Sequence, residues 1–127
     1  MWLTFDWDNR GLEDILVQKG LKQIAFDYPT YAIYYRVSSG GNGIHAFVAD
    51  ISAEPDNSLS NNMPYLPLDL PDSEVLDYRE YMVDLGLEDP VRLKWDKIRI
   101  LQGGRIGKIF FGKRGNKVGE WVLYGVE

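Results

Sequence analysis

The chain has 127 residues, 45% apolar and 26% charged, which is one domain with room for a core and an ordinary globular composition. With no cysteine and one histidine, disulfides, cysteine-based zinc and His-rich metal sites are excluded. Any bound metal must then be held mainly by carboxylates, which favours Mg²⁺, Mn²⁺ or Ca²⁺ over Zn²⁺. No apolar run approaches the roughly 20 residues of a membrane span. Asp6 and Asp8 stand where an export signal would be basic and then apolar, so a cytoplasmic protein without membrane contact is expected.

The first element, Trp2 to Asp8, reads as a strand. Alternation puts Leu3, Phe5 and Trp7 on one face and Asp6 and Asp8 on the other. Two adjacent carboxylates repel and favour a cation between them, typically a hard divalent ion that also grips phosphate oxygens. Asn9 can cap a helix whose apolar residues recur from Leu12 to about Phe26, with Gly20 a weak spot and Pro29 ending it. Tyr31 to Val37 alternates as a strand. Ser38 to Gly43 is a glycine-rich turn, and Ile44 to Ile51 returns as the second arm of a hairpin that carries His45.

Residues 52–68 are rich in Ser, Asn and Pro and read as a long mobile loop. Asp72 or Ser73 caps a second helix running to about Leu85, with Gly86 just past its end. Val91 to Asp96 alternates again, predicting a strand with Arg92, Lys94 and Asp96 on one side. A final hairpin joins Lys108–Phe111 to Glu120–Tyr124 around Arg114-Gly115-Asn116. Charge is segregated. Between Asp50 and Asp89, eleven acids face Arg79 alone; between Arg92 and Lys117, nine basic residues face only Asp96. The basic block, with Arg92, Lys94, Arg99, Lys108, Lys113 and Arg114, suits a polyanion such as nucleic acid, or else pairs with the acidic block.

The order β-α-β-β-α-β with an appended hairpin predicts a single α+β domain over residues 1–127. It is ferredoxin-like (RRM-like), with an antiparallel sheet and both helices on one face. In that topology the first strand is central, and period-2 phasing gathers Asp6, Asp8, His45 and Asp96 on the open face. Phe47 lies on that face too, to stack a base or to pack beneath the 52–68 loop.

These residues resemble the catalytic core of the archaeo-eukaryotic primase (primase-polymerase) superfamily. FDWD at Phe5–Asp8 matches its first motif, an apolar strand ending in two spaced acids. SSGGNGIHAFV matches its second, with Ser39 and His45 in place. KWD ending at Asp96 fits its third, an acid on a later strand. The resemblance implies a nucleotidyltransferase in which Asp6, Asp8 and Asp96 bind Mg²⁺ or Mn²⁺. Ser39, Gly40, Gly41, Gly43 and His45 would hold the phosphates of a nucleoside triphosphate, acting on single-stranded or primed nucleic acid. In another alignment GKIFFG at Gly107–Gly112 is the third-motif strand, the acid falls at Gly112, and the third ligand is missing. The N-terminal α/β unit of most members is not seen, so a second replication protein would supply missing elements. Two other readings stay open: a non-catalytic nucleic-acid-binding or replication-accessory module on the same fold, and a metal-dependent nuclease using the same carboxylates.

Overall fold

A computed structural model describes residues 1–37, 42–52, 64–103 and 119–125. The elements in chain order are β1 (Thr4–Asp8), α1 (Ile15–Asp27), β2 (Ala32–Val37), β3 (Gly43–Asp50), β4 (Leu66–Pro67), α2 (Asp72–Asp84), α3 (Pro90–Leu101) and β5 (Val122–Leu123). The fold is α+β, with a five-stranded antiparallel sheet in the order β1-β3-β2-β5 and β4 paired to β3. The run β1-α1-β2-β3-α2 is consistent with a ferredoxin-like arrangement.

Alternation decides the sheet's inner face. Leu3 just before β1, Phe5 and Trp7 of β1, Ile33 of β2, and Ile44, Ala46 and Val48 of β3 form one core with Val17, Leu21 and Ile24 of α1 and Val75 and Met82 of α2. Each of these is buried. Both helices therefore cover the face opposite Asp6 and His45, as period-2 phasing requires. Asp14, not Asn9, caps α1 by accepting from the Leu16 N–H at 2.8 Å. Asn9 instead takes a left-handed turn at φ 57°. Beyond α2, Gly86 adopts φ 75° and stops the helix, as expected of a C-terminal glycine.

Three expectations are corrected. The segment Val91–Asp96 lies within helix α3, not on a strand. Asp89 caps that helix by accepting from the Val91 N–H at 2.9 Å, and Pro90 occupies its first turn, where a missing N–H costs nothing. The local cap therefore outweighs the alternation of Val91, Leu93 and Trp95. Consequently β1 is not central: among the described strands its partner along its length is β3 alone. Nor is the second face of the sheet open. Phe47 and Ala49 are buried there beneath Trp2, Tyr34, Tyr65 and Trp121, so Phe47 cannot present a ring to a base.

The far end of the 52–68 loop is ordered by backbone bonding. The Leu68 N–H donates to Val48 O at 2.7 Å, and the Leu3 N–H donates to Leu68 O at 2.9 Å, which wedges this segment between β1 and β3. Residues 53–63 and the first arm of the expected C-terminal hairpin, Lys108–Phe111, lie outside the described residues. Its second arm supplies β5, which pairs Leu123 with Tyr34 and Val122 with Tyr35.

Gly20 has a specific reason to be glycine. A Cβ at this position would lie 2.7 Å from Cζ2 of Trp7. That ring is buried and pinned by its Nε1–H donating to Leu87 O at 2.8 Å, so it cannot step aside cheaply. Alanine gains about 1 kcal/mol of helix propensity but overpacks the core at a cost of about 1–3 kcal/mol. Gly20→Ala should therefore lower the urea midpoint rather than raise it as helix propensity alone would.

Candidate functional site

The site begins with the register of the sheet. Asp6 on β1 pairs with His45 on β3, and His45 pairs with Arg36 on β2, so one cross-strand row carries a carboxylate, an imidazole and a guanidinium. Asp8 pairs with Gly43 at the end of the same strands. His45 Nε2 lies 3.6 Å from Asp6 Oδ1, and the two side chains are 9% and 15% exposed. Arg36 is fully buried, with its guanidinium carbon 4.4 Å from the Trp121 ring centroid, a cation–π contact.

Helix α3 supplies the other wall. Arg92 Nε stands 4.0 Å from Asp6 Oδ2, and its Nη1 stands 3.9 Å from Glu88 Oε1. Asp6, Asp8, Arg10, Glu88 and Arg92 line a cleft of about 430 Å³ between the end of β1 and the α2–α3 junction. That volume falls within the range of sites for small organic ligands.

Behind Arg92 is a fully buried arginine that charge segregation had already set apart. Arg79 Nε donates to Glu88 at 2.9 and 3.2 Å, and its Nη1 donates to Asp96 Oδ2 at 2.8 Å. Its solitary place in an acidic block was the signal in the sequence: a lone cation among eleven acids is the one a buried pair would need. Burial alone would lower the Arg79 pKa, but Glu88 and Asp96 together raise it. Glu88 is pushed up by burial, against the pull of Arg79 and Arg92. At the surface Lys97 reaches Glu80 at 3.2 Å, so part of the acidic and basic blocks pairs between α2 and α3.

The expected site residues divide accordingly. Asp6, Asp8, Gly43 and His45 come together at the cleft end of β1 and β3. Asp96 sits on α3 with its carboxylate bound by Arg79 and with Arg99 Nη1 at 3.7 Å. Among the described residues, no three Asp, Glu, His or Cys side chains form a group able to hold a metal ion. Of the basic residues, Arg92 turns inward, while Lys94 and Arg99 are exposed on α3. Ser39, Gly40, Gly41, Lys108, Lys113 and Arg114 lie outside the described residues. The residues that sequence reasoning missed are Arg36, Arg79 and Glu88.

Removing Arg79 strands two buried carboxylates. Arg79→Ala should cost about 3–5 kcal/mol in chemical denaturation, whereas Arg79→Met combined with Glu88→Gln and Asp96→Asn should recover much of that loss.

Burial pushes Asp6 from 3.8 up to about 6, with Arg92 pulling it down and Asp8 and Asp96 adding to the rise. Burial, then Arg36 and Arg92, push His45 from 6.5 down to about 4, with Asp8 opposing. The two shifts act oppositely on stability. Folded Asp6 holds a proton that the unfolded chain has lost, so its contribution falls as pH rises from about 4 to 6. Folded His45 refuses a proton that the unfolded chain accepts, so its contribution rises from about pH 4 to 6.5. Each effect is roughly 3 kcal/mol at full extent and they nearly cancel. Urea unfolding of the wild type should therefore vary little with pH over this window on their account. Asp6→Asn should gain stability toward pH 6.5, and His45→Gln should lose it.

No family model matches the sequence, and neither a search of curated proteins nor one of solved structures finds a match.

Proposed function

We propose that this chain is a minimal primase-polymerase-type nucleotidyltransferase core that binds a nucleoside triphosphate with a divalent ion at the Asp6–Asp8 end of β1. The observation that carries the reading is the convergence of Asp6, Asp8 and His45 on one face at one end of two paired strands, with Asp6 and Asp8 lining a cleft of about 430 Å³. The donor set fits one hard ion. Asp8 is exposed at the cleft, and Asp6 Oδ1 is buried without a hydrogen-bond partner among the described residues. Mg²⁺ is commonly held by only one or two carboxylates, with water and substrate phosphates completing its shell. The donor set does not fit a second ion through Asp96, because Arg79 already binds that carboxylate.

When bound, the ion would neutralise phosphate charge and polarise the phosphoryl group. The chain's own residues orient the ligand. Asp6 must lose its proton to serve as a ligand, and the nearby guanidinium of Arg92 favours that loss. His45, held neutral by burial, can donate or accept one hydrogen bond without adding charge. The glycine-rich segment Ser39–Gly41, which the family resemblance assigns to phosphate binding, precedes β3 in sequence and lies outside the described residues.

A second reading has a specific observation in its favour. With Asp96 committed to Arg79, the chain suits a nucleotide- or nucleic-acid-binding accessory module that retains the primase-like fold without two-ion catalysis.

Titration calorimetry with nucleoside triphosphate and Mn²⁺, combined with extension of a primed template, tests both. Metal-dependent binding is expected in the wild type, with a loss of at least about tenfold in Asp8→Asn. Binding without extension selects the accessory module. Absence of metal-dependent nucleotide binding overturns the nucleotidyltransferase reading.

A further inference from the structure

We infer that Arg92 is the anion receptor of the cleft, taking a phosphate group of the ligand while Asp8 faces the accompanying cation. This rests on the nucleotide reading above for the identity of the ligand, but not for the anion site itself. Arg92 is 15% exposed, in the first turns of α3, and lines the cleft beside Asp6 and Asp8. Its Nη1 is buried and has no hydrogen-bond partner among the described residues. The nearest carboxylate oxygens, on Asp6 and Glu88, stand 4.0 and 3.9 Å away, beyond hydrogen-bond reach.

A guanidinium left in this state is costly, because a buried donor has given up water and gained nothing in return. Arg79 shows the contrast within the same molecule: it makes close hydrogen bonds to both Glu88 and Asp96. Those bonds commit both carboxylates to Arg79, so Arg92 feels their charge without their hydrogen bonds. Asp6 does not satisfy it either, because its Oδ2 stands 4.0 Å from Arg92 Nε, beyond hydrogen-bond reach. What Arg92 lacks is a multi-oxygen acceptor arriving from the cleft, and two oxygens of a phosphate match a guanidinium fork in spacing and charge. The remaining cleft charge argues that such an anion arrives with a cation. Asp8 and Asp89 are exposed acids on the lining, and a bare polyphosphate would meet them as like charges.

The test measures calorimetric binding of two probes, a nucleoside triphosphate and inorganic triphosphate, each with and without Mg²⁺. The proteins are the wild type, Arg92→Gln, Arg92→Lys and the surface control Lys19→Gln, with near-UV circular dichroism reporting folding. The expected result is Mg²⁺-dependent binding of both probes, weakened about tenfold or more in Arg92→Gln. Arg92→Lys, which keeps the charge but not the fork, should lose less, and Lys19→Gln should match the wild type. Should the glutamine variant not fold, the lysine variant decides: affinity equal to the wild type overturns the proposal. Nucleotide binding that is intact in both Arg92 variants sinks the receptor while leaving the nucleotide reading standing. Inorganic triphosphate binding through Arg92 with no binding of the nucleoside triphosphate keeps the receptor and removes the nucleotide reading. A wild type that binds neither probe overturns both.

Discussion

The position of α3 depends on Arg79. A helix with exposed Val91 and Trp95 and only Leu93 and Asp96 buried has little apolar surface with which to hold itself to the body of the protein. What fixes it is a buried guanidinium on α2 that grips Asp96 on α3 and Glu88 in the turn between the helices. Such a network is a weak source of net stability, because desolvating three charges offsets most of their attraction. Its strength is geometric: hydrogen bonds at 2.8–2.9 Å tolerate little sliding, so the helix has one register against α2. That register brings Arg92 alongside Asp6. The chemistry at the end of β1 is thus set in part by Arg79 and Asp96, which do not line the cleft.

The sheet adds a second constraint. Asp6, His45 and Arg36 are neighbours across three strands because the register fixes them, whatever their charges prefer. Burial holds His45 neutral, and the nearby charges of Arg36 and Arg92 reinforce this. Asp6 is in the converse position, with burial and Asp8 opposing its ionisation and Arg92 favouring it. Two titratable groups 3.6 Å apart are therefore both biased toward their neutral forms.

The sequence made the sheet legible and the last third of the chain misleading, for physical reasons. Strands β1 to β3 are buried on one face by apolar residues at period two, so Leu3/Phe5/Trp7 and Ile44/Ala46/Val48 announced both the strands and the side on which the acids would lie. Val91, Leu93 and Trp95 also alternate, but here the alternation does not mark a buried face: two of the three are exposed. The decisive signal was the pair Asp89-Pro90, a cap followed by a residue already set for a first helical turn. Arg36 and Arg79 were harder to foresee, because arginine is seldom fully buried and its burial depends on partners distant in sequence. The covered second face escaped for a similar reason: Tyr65 and Trp121 reach it from segments distant in sequence, joining Trp2, which alternation alone puts on the side of Asp6.

The placement of Asp96 carries the sharpest consequence. On a fourth strand it would have been a free carboxylate in phase with Asp6 and Asp8, and the three acids would have formed a cradle for two ions. On α3 the same carboxylate is neutralised by Arg79, and what faces Asp6 from that side is the cation of Arg92. Exchanging a carboxylate for a guanidinium changes what the cleft asks of a ligand. A cradle of three acids attracts bare metal ions; a pair of acids facing an arginine attracts a metal ion that carries its own anion. On the proposed reading, a metal–triphosphate complex satisfies both sides at once, its cation against Asp8 and its phosphate against Arg92. A free divalent ion would instead face the positive charge of Arg92 with only two carboxylates to hold it. Affinity for the ion alone should then be weak, with most of the binding free energy appearing when metal and phosphate arrive together.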